Sequence, residues 1–569
     1  MPVPTTLKLQ PIHVTLWLIV VLPLAIVTPE RATAAREDPM ADANMPPFVL
    51  GPEPAAVSTF ECISLYWKPA DGAATNPCGV HYRKQGEGNA WREAQPLWFD
   101  TNTGDPQWMD SYRGSIVGLD PGTRYAIRLR LASGRTALLN AATWSEPFPV
   151  AKTVRVNGSE EMFITSEGGT ENGYVVYDGQ GATIDVHDRA SYCILIAHDY
   201  VIVRNFKLTG ASKSGIYAFR QRNLVVEHCD ITNWGSLRKP AEAGGGPGWG
   251  ERGDGGIHIE QCLRAVIQGN TIHHPRHDTN EWYEDGHPDG PTGIFFGPPN
   301  GTNPWKEGNH VIRYNHIYSD ADHLYEDGIM SRGNFLKSGL PGADSDLYGN
   351  IITNCTDDGI EADGGGRNIR LWNNYIAQMY SGISTAAVTI GPLYVFRNVF
   401  GTHREMPSKS PKAFKMGDDR TRGIQFVYHN TCLTRSAESA VNGVGSNGVL
   451  LATFRNNILL GEDATFEDAE SPTNSFDYDL CNESIEETPP GSEEHGFLDV
   501  LPRFREGHGP ASGPGGRYEL APGSPGFDGG VALPGFNDHG QGAAPDLGAQ
   551  EAGSAPMPLG PAALADRPF

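Results

Sequence analysis

Basic residues are scarce in this chain. Across 569 residues, 44 Lys and Arg stand against 68 Asp and Glu, a formal net charge of −24. That balance excludes a nucleic-acid partner, because phosphate binding needs a basic footprint. It also repels a bare polyanionic glycan unless a cation or a local basic patch intervenes. No C-x-x-C pair occurs among Cys62, Cys78, Cys193, Cys229, Cys262, Cys355, Cys432 and Cys481, so zinc and thiol-redox motifs are unsupported. Cys62 and Cys78 can form a disulfide in an oxidising compartment, and Cys229 and Cys262 read as small buried apolar residues. There is no H-E-x-x-H, nucleophile elbow or phosphate loop. Gly443-Val444-Gly445-Ser446-Asn447-Gly448 has the letters of a dinucleotide fingerprint but no helix behind it, and reads as a turn. Beyond residue 27 no apolar run reaches membrane length.

Turn formers are plentiful, with 69 Gly and 43 Pro, a mix that suits many short strands. From about residue 200 to 460 one pattern recurs: two or three apolar residues, a gap, then Asn and another apolar residue. One column holds Phe206, Cys229, Asn270, Asn315, Asn350, Asn374, Asn398, Asn430 and Asn457, spaced by 23, 41, 45, 35, 24, 24, 32 and 27 residues. A second pattern places Gly before a short strand at Gly215-Ile216, Gly256-Ile257, Gly293-Ile294, Gly328-Ile329, Gly359-Ile360 and Gly382-Ile383. No helical period separates the two. Parallel strands without helices, at about 23 residues per turn, predict an all-β solenoid, a right-handed parallel β-helix. An Asn in the same place on successive turns bonds its neighbours above and below, so that column is structural.

The ends and flanks follow from composition. Lys8, an apolar run over Val14–Val27 and the small residues Ala32-Thr33-Ala34 predict a signal peptide over 1–34 and an exported, secreted or periplasmic protein without a membrane span once it is removed. Residues 35–48 read as a linker. Residues 49–153 read as a β-sandwich, with Ser64-Leu65-Tyr66-Trp67 and Val80-His81-Tyr82-Arg83 as strands. Leu119-Asp120-Pro121-Gly122 followed by Tyr125 resembles the corner of a fibronectin type III domain, which implies that Tyr125 caps the preceding connection and that Trp67 is core. The solenoid is expected over 154–552, its last coils irregular in the acidic, Pro/Gly-rich stretch beyond 460, and a mobile tail over 553–569.

The repeats, together with Leu520-Ala521-Pro522-Gly523-Ser524-Pro525 and Ala544-Pro545-Asp546-Leu547-Gly548-Ala549-Gln550-Glu551, resemble secreted β-helix proteins of the pectate-lyase-like superfold. That superfold hosts lyases, hydrolases, epimerases, esterases and tailspike-like binders, so the resemblance implies the fold and leaves the reaction open. Thr356-Asp357-Asp358-Gly359-Ile360-Glu361-Ala362-Asp363 is faintly similar to the Asp-rich strands of polygalacturonases. The Gly-His-Gly and Arg-Ile-Lys elements of that family are absent.

Repeat arithmetic places two surplus segments, 235–254 and 273–291, at the same point of adjacent coils, where they should overhang one face. Trp249, Trp282 and Tyr283 in them suit sugar contact. If the isoleucines face inward, Asp254, His258, Glu260, Glu326, Arg332, Asp357, Glu361 and Asp363 share one exposed face beneath. Hydrolysis of a glycosidic bond needs one protonated and one ionised carboxyl. Glu361 and Asp363 are the expected pair, with Asp357 and Arg332 assisting and His258, Glu260, Trp249, Trp282, Tyr283 and Lys337 contacting a polysaccharide. A hydrolase of this kind needs no cofactor. An alternative is a lyase or epimerase on a uronic-acid glycan, in which Asp254, Glu326 and Asp357 hold Ca²⁺ and Arg332, Lys337, His258 or Tyr283 is the base. A third reading is a glycan-binding surface protein without catalysis.

Overall fold

The computed structural model describes residues 50–86, 88, 90–237, 250–297, 308–331, 333, 335, 339–407 and 409–565. The expected signal peptide and linker lie outside them. So do Trp249, Arg332 and Lys337.

Three parallel sheets stack into a right-handed β-helix, with twelve, twelve and eleven strands among the described residues. The glycine-led strands form the third sheet in one register: Ile216, Ile257, Ile294, Ile329, Ile360 and Ile383 pair in succession. All six are fully buried, each contributing about 2 kcal/mol of apolar burial. The glycine ahead of each is a matter of space. A Cβ on Gly359 would come within 2.4 Å of Ile376 Cγ2 and 2.8 Å of the Gly382 carbonyl oxygen. The expected inward register is therefore the observed one.

The asparagine column is a continuous ladder. Asn315 Oδ1 accepts from the Asn270 backbone N–H (3.1 Å) and from Nδ2 (3.0 Å). The same pair of bonds joins Asn315 to Asn350, Asn350 to Asn374, Asn374 to Asn398, Asn398 to Asn430 and Asn430 to Asn457. Asp479 takes the next position, accepting from Asn457 at 2.6 and 2.8 Å. The residue before each Asn adopts a left-handed conformation, Gly269, Tyr314, Gly349, Asn373 and Arg397 among them, and so turns the chain from one sheet into the next.

The N-terminal module is a seven-stranded antiparallel sheet of β1 (Ala55–Ser58), β2 (Ile63–Trp67), β3 (Cys78–Lys84), β4 (Arg92–Phe99), β5 (Tyr112–Ile116), β6 (Arg124–Leu131) and β7 (Thr136–Ala142), ordered β1-β2-β5-β4-β3-β6-β7. Trp67 is buried, and the Tyr125 hydroxyl accepts from the Asp120 N–H at 2.9 Å. The module docks along the first sheet of the solenoid, the one that holds Asp346–Tyr348, Ile369–Trp372 and Leu393–Phe396. Arg370, fully buried, donates through Nε to Asp346 Oδ1 (2.6 Å) and through Nη1 to Ser64 Oγ (2.6 Å) and Ser115 Oγ (3.2 Å). Arg113 reaches back to the carbonyl oxygens of Ile390 and Gly391 at 3.1 Å. That cover explains why Tyr348, Trp372 and Phe396, which face out of the coil and stack at 4.2 and 5.5 Å, are buried.

Three expectations need correction. Cys62 and Cys78 are both free thiols: Cys62 faces the solenoid interface and Cys78 lies in the core of the module. Regular coils continue past 460, to the strands Ser475–Asp477, Leu480–Cys481 and Phe497–Leu498. The segment 553–565 is not a loose tail. Leu564 is fully buried, and the Gly560 N–H bonds the Gly349 carbonyl oxygen, because this segment covers an apolar flank of the coil. No helix among the described residues is long and apolar enough to cross a membrane.

Candidate functional site

The third sheet carries the candidate site on its outward side. Its register lines up one column one residue beyond the isoleucines, Tyr217, His258, Phe295 and Met330, then Glu361, Ser384, Lys415 and Asn442. A second column, two residues before the isoleucines, runs from Asp358 to Ser381 to Lys412. Aromatic and apolar side chains therefore give way to acids, then serines, then lysines along the axis.

The excursions cross this face as expected. Their described residues lie side by side, the Gly250 N–H donating to the Asp278 carbonyl oxygen at 2.7 Å. The second folds a single helical turn, Trp282–Asp285, closed by a capping box between Glu281 and Glu284. It packs down onto the sheet: Trp282 lies 5.4 Å from Tyr380 and 4.7 Å from His287, His287 Nε2 is 3.2 Å from Asp357 Oδ2, and the Gly290 N–H donates to Glu326 Oε2 at 3.0 Å. An ion pair from Arg404 to Glu281 ties the excursion to a later coil.

This covering overturns the open cleft expected from the sequence. Glu361 and Asp363 are each 4% exposed, Asp357 2%, Glu326 0% and Asp254 7%. The alternation of the strand does turn them away from the coil interior, but the 273–291 excursion and the neighbouring loops close over them. Asp363 is also occupied: its Oδ1 accepts from Ser384 Oγ (2.8 Å) and from the Ala386 N–H (2.6 Å).

Six acids gather here: Glu326, Asp327, Asp357, Asp358, Glu361 and Asp363. Among the described residues, three bases reach them. Arg252 Nε lies 2.9 Å from Glu326 Oε1, His287 pairs with Asp357, and Lys415 Nζ lies 2.6 Å from Asp358 Oδ2 and 3.5 Å from Asp357 Oδ1. Burial is the main cause of every carboxyl shift that follows. It pushes Glu326 up to about 8 against the opposing pull of Arg252. Asp358 goes to about 7, raised by burial and Asp357 and restrained by Lys415. Asp363 goes to about 8, restrained by Lys415. Asp327 and Glu361 are driven well above the usual carboxylate range by burial and by neighbouring acids. Burial works against the charge on Lys415, yet Asp357, Asp358 and Asp363 raise it above its ordinary value. Several of these acids therefore hold protons at neutral pH.

The arrangement departs from the expected metal set. Asp254 lies two strands from Glu326 in the sheet, roughly 9.6 Å at about 4.8 Å per strand, and bonds Ser236. Among the described residues, the one grouping of His, Cys, Asp and Glu compact enough for an ion is Asp327, Asp357 and Asp358, whose oxygens lie within 4.8 Å of one another. His258 and Glu260 also stand apart, next to Tyr217, whose hydroxyl donates to Glu260 Oε2 at 2.8 Å. Tyr283 is 54% exposed on the helical turn.

Sequence reasoning missed Asp327, Asp358 and Lys415. The signal for the first two was present as doubled acids, Glu326-Asp327 and Asp357-Asp358, ahead of each Gly-Ile pair. Lys415 was hidden because its strand, Lys412–Gly417, carries Ala413-Phe414 where the others have Gly-Ile.

Residues 184–389 match the family model described as right handed beta helix region, in agreement with the stacked sheets. Comparison with curated proteins gives no match. Among solved structures the chain is similar to a family 28 exopolygalacturonase of Yersinia enterocolitica, at 10% identity and a TM-score of 0.25 over 78% of this chain and 100% of that one. It is similar to the catalytic unit of a GH87 alpha-1,3-glucanase of Streptomyces thermodiastaticus, at 13% identity and a TM-score of 0.38 over 79% and 88%. It is also similar to a pectate lyase of Erwinia chrysanthemi in complex with tetragalacturonic acid, at 10% identity and a TM-score of 0.14 over 67% and 87%.

Proposed function

We propose that this is an exported enzyme that hydrolyses glycosidic bonds of an extracellular polysaccharide, with a fibronectin type III-like module braced against its solenoid. One observation carries the reading: six buried carboxylates converge on three bases under an aromatic excursion. A structural face has no need of so many acids out of water, and perturbed acids cluster where acid–base chemistry is done.

The geometry favours a different pair from the one the sequence suggested. Asp358 is the acid: burial, with Asp357 beside it, holds its proton near neutral pH. It gives that proton to the glycosidic oxygen as the bond to the anomeric carbon breaks. Asp357, paired with His287 and Lys415 and within 4.8 Å of Asp358, bonds that carbon as the nucleophile, and water that has lost a proton to the Asp358 carboxylate then displaces it. Glu361 and Asp327 sustain the charge balance, and Asp363 positions the strand end through Ser384. Access requires the 273–291 excursion to lift, and Trp282 and Tyr283 then meet the sugar.

The test is a panel of polysaccharides assayed for new reducing ends, with Asp358→Asn and Asp357→Asn alongside. Release by the parent and loss of about 100-fold or more in each variant is expected. No release from any polysaccharide overturns the reading.

A second reading rests on the close approach of Asp327, Asp357 and Asp358. These residues would hold a divalent cation that neutralises a uronate and acidifies its C–H. Ultraviolet absorbance of an unsaturated product, abolished by chelator, would favour this lyase chemistry.

A further inference from the structure

Lys412 is not explained by the acid cluster. It opens the strand Lys412–Gly417, pairs with Ser381, and so stands two strands from Asp358, roughly 9.6 Å at about 4.8 Å per strand. It is 6% exposed, yet its ammonium makes no ion pair or hydrogen bond among the described residues. Its Nζ lies 5.3 Å from the centroid of the Tyr380 ring. Burial lowers its pKa, which Glu467 and Glu438 partly offset. Glu467 itself is engaged by Ser439 Oγ (3.1 Å) and by Asn442. Lys415, one turn of the alternation further along, is already taken by Asp357 and Asp358. Exposed Lys409 adds a second cation 4.3 Å over the Trp282 ring. A buried cation that no acid pairs directly is costly, and two more distant carboxylates and a single ring face offset only part of that cost.

We infer that Lys412, with Lys409 at the rim, binds an acidic substituent of the glycan, so that the substrate is an anionic polysaccharide. This rests on the hydrolase reading for what happens next, but not for binding. The acid group lies over Ser381, beyond the protonated acids and against the lysines. A local basic patch of this kind lets a chain of net charge −24 accept an anion that its overall field would repel. Carboxylate and sulfate share the chemistry, and the probes separate them.

The experiment is calorimetric titration of the whole protein with paired probes. Oligogalacturonate and oligoalginate are each set against their carboxyl-reduced forms, and a sulfated galactan oligosaccharide against its desulfated form. The expected result is that at least one acidic probe binds about 10- to 100-fold tighter than its neutral partner, the range for one charge-assisted bond. Lys412→Met should abolish that preference and leave neutral binding unchanged, while Lys412→Arg keeps it. Lys412→Gln serves if the Met variant does not fold. Equal binding of acidic and neutral partners, or a preference that survives in Lys412→Met, overturns the inference. The two readings fail separately. Cleavage of a neutral glycan without acidic preference sinks this one alone. Lysine-dependent acidic binding without cleavage sinks only the hydrolase.

Discussion

Lys415 Nζ lies 2.6 Å from Asp358 Oδ2 although 57 residues and two strand steps separate them. This one contact restrains the charge of the acid cluster, and its removal makes the sharpest prediction. Lys415→Met should leave Asp358 without its counter-charge and raise its pKa further. The pH profile of kcat/KM should move upward, and unfolding in urea should show a loss of about 3 kcal/mol. An unchanged profile in a folded variant would detach Lys415 from the chemistry.

Stability should fall as pH rises across neutrality. Asp358 goes from 3.8 to about 7, Glu326 from 4.5 to about 8 and Asp363 from 3.8 to about 8, so the folded state binds more protons than the unfolded one over that interval. Their contribution is complete below about pH 4 and is lost as pH rises through 7 to 8. Asp178 and Asp477, held low by their partners, act in the opposite sense only at the acid end. Tm measured from pH 5 to 9 should decline, and Glu361→Gln should flatten the decline.

The asparagine ladder should not tolerate a break. Asn374→Ala would remove the acceptor of the Asn350 N–H, one of the two acceptors of Asn350 Nδ2, and the amide that donates to the Leu347 carbonyl oxygen. A loss of about 3 kcal/mol is expected in denaturant titration. Asn374→Asp should retain the acceptor but place a charge in a dry position, and so should rescue little.

Docking of the N-terminal module rests on Arg370. Arg370→Ala strands Asp346 as a buried charge beside Ser64 and Ser115. A cost of about 3 to 5 kcal/mol is expected, with the module becoming cleavable by protease ahead of the solenoid. Thermal unfolding as a single transition in the variant would contradict this role.

Much of this was legible along the chain. The Gly-Ile and Asn columns gave the coil, its register and the position of both excursions, because a stack repeats the same local demand at each turn: an apolar plug, a bend, a ladder partner. Asp357, Glu361, Trp282 and Tyr283 were named for the same reason. Asp363 was legible as an outward acid, yet its partner Ser384 was not, since that bond depends on how the next coil follows.

The amino-acid order by itself determined the solenoid, since each coil meets its own copy of the pattern and needs no distant information. Tertiary structure decided which acids are buried and paired. Whether an outward carboxylate is solvated or buried depends on loops from other coils closing over it. Whether it is paired depends on a lysine that arrives from two strands away.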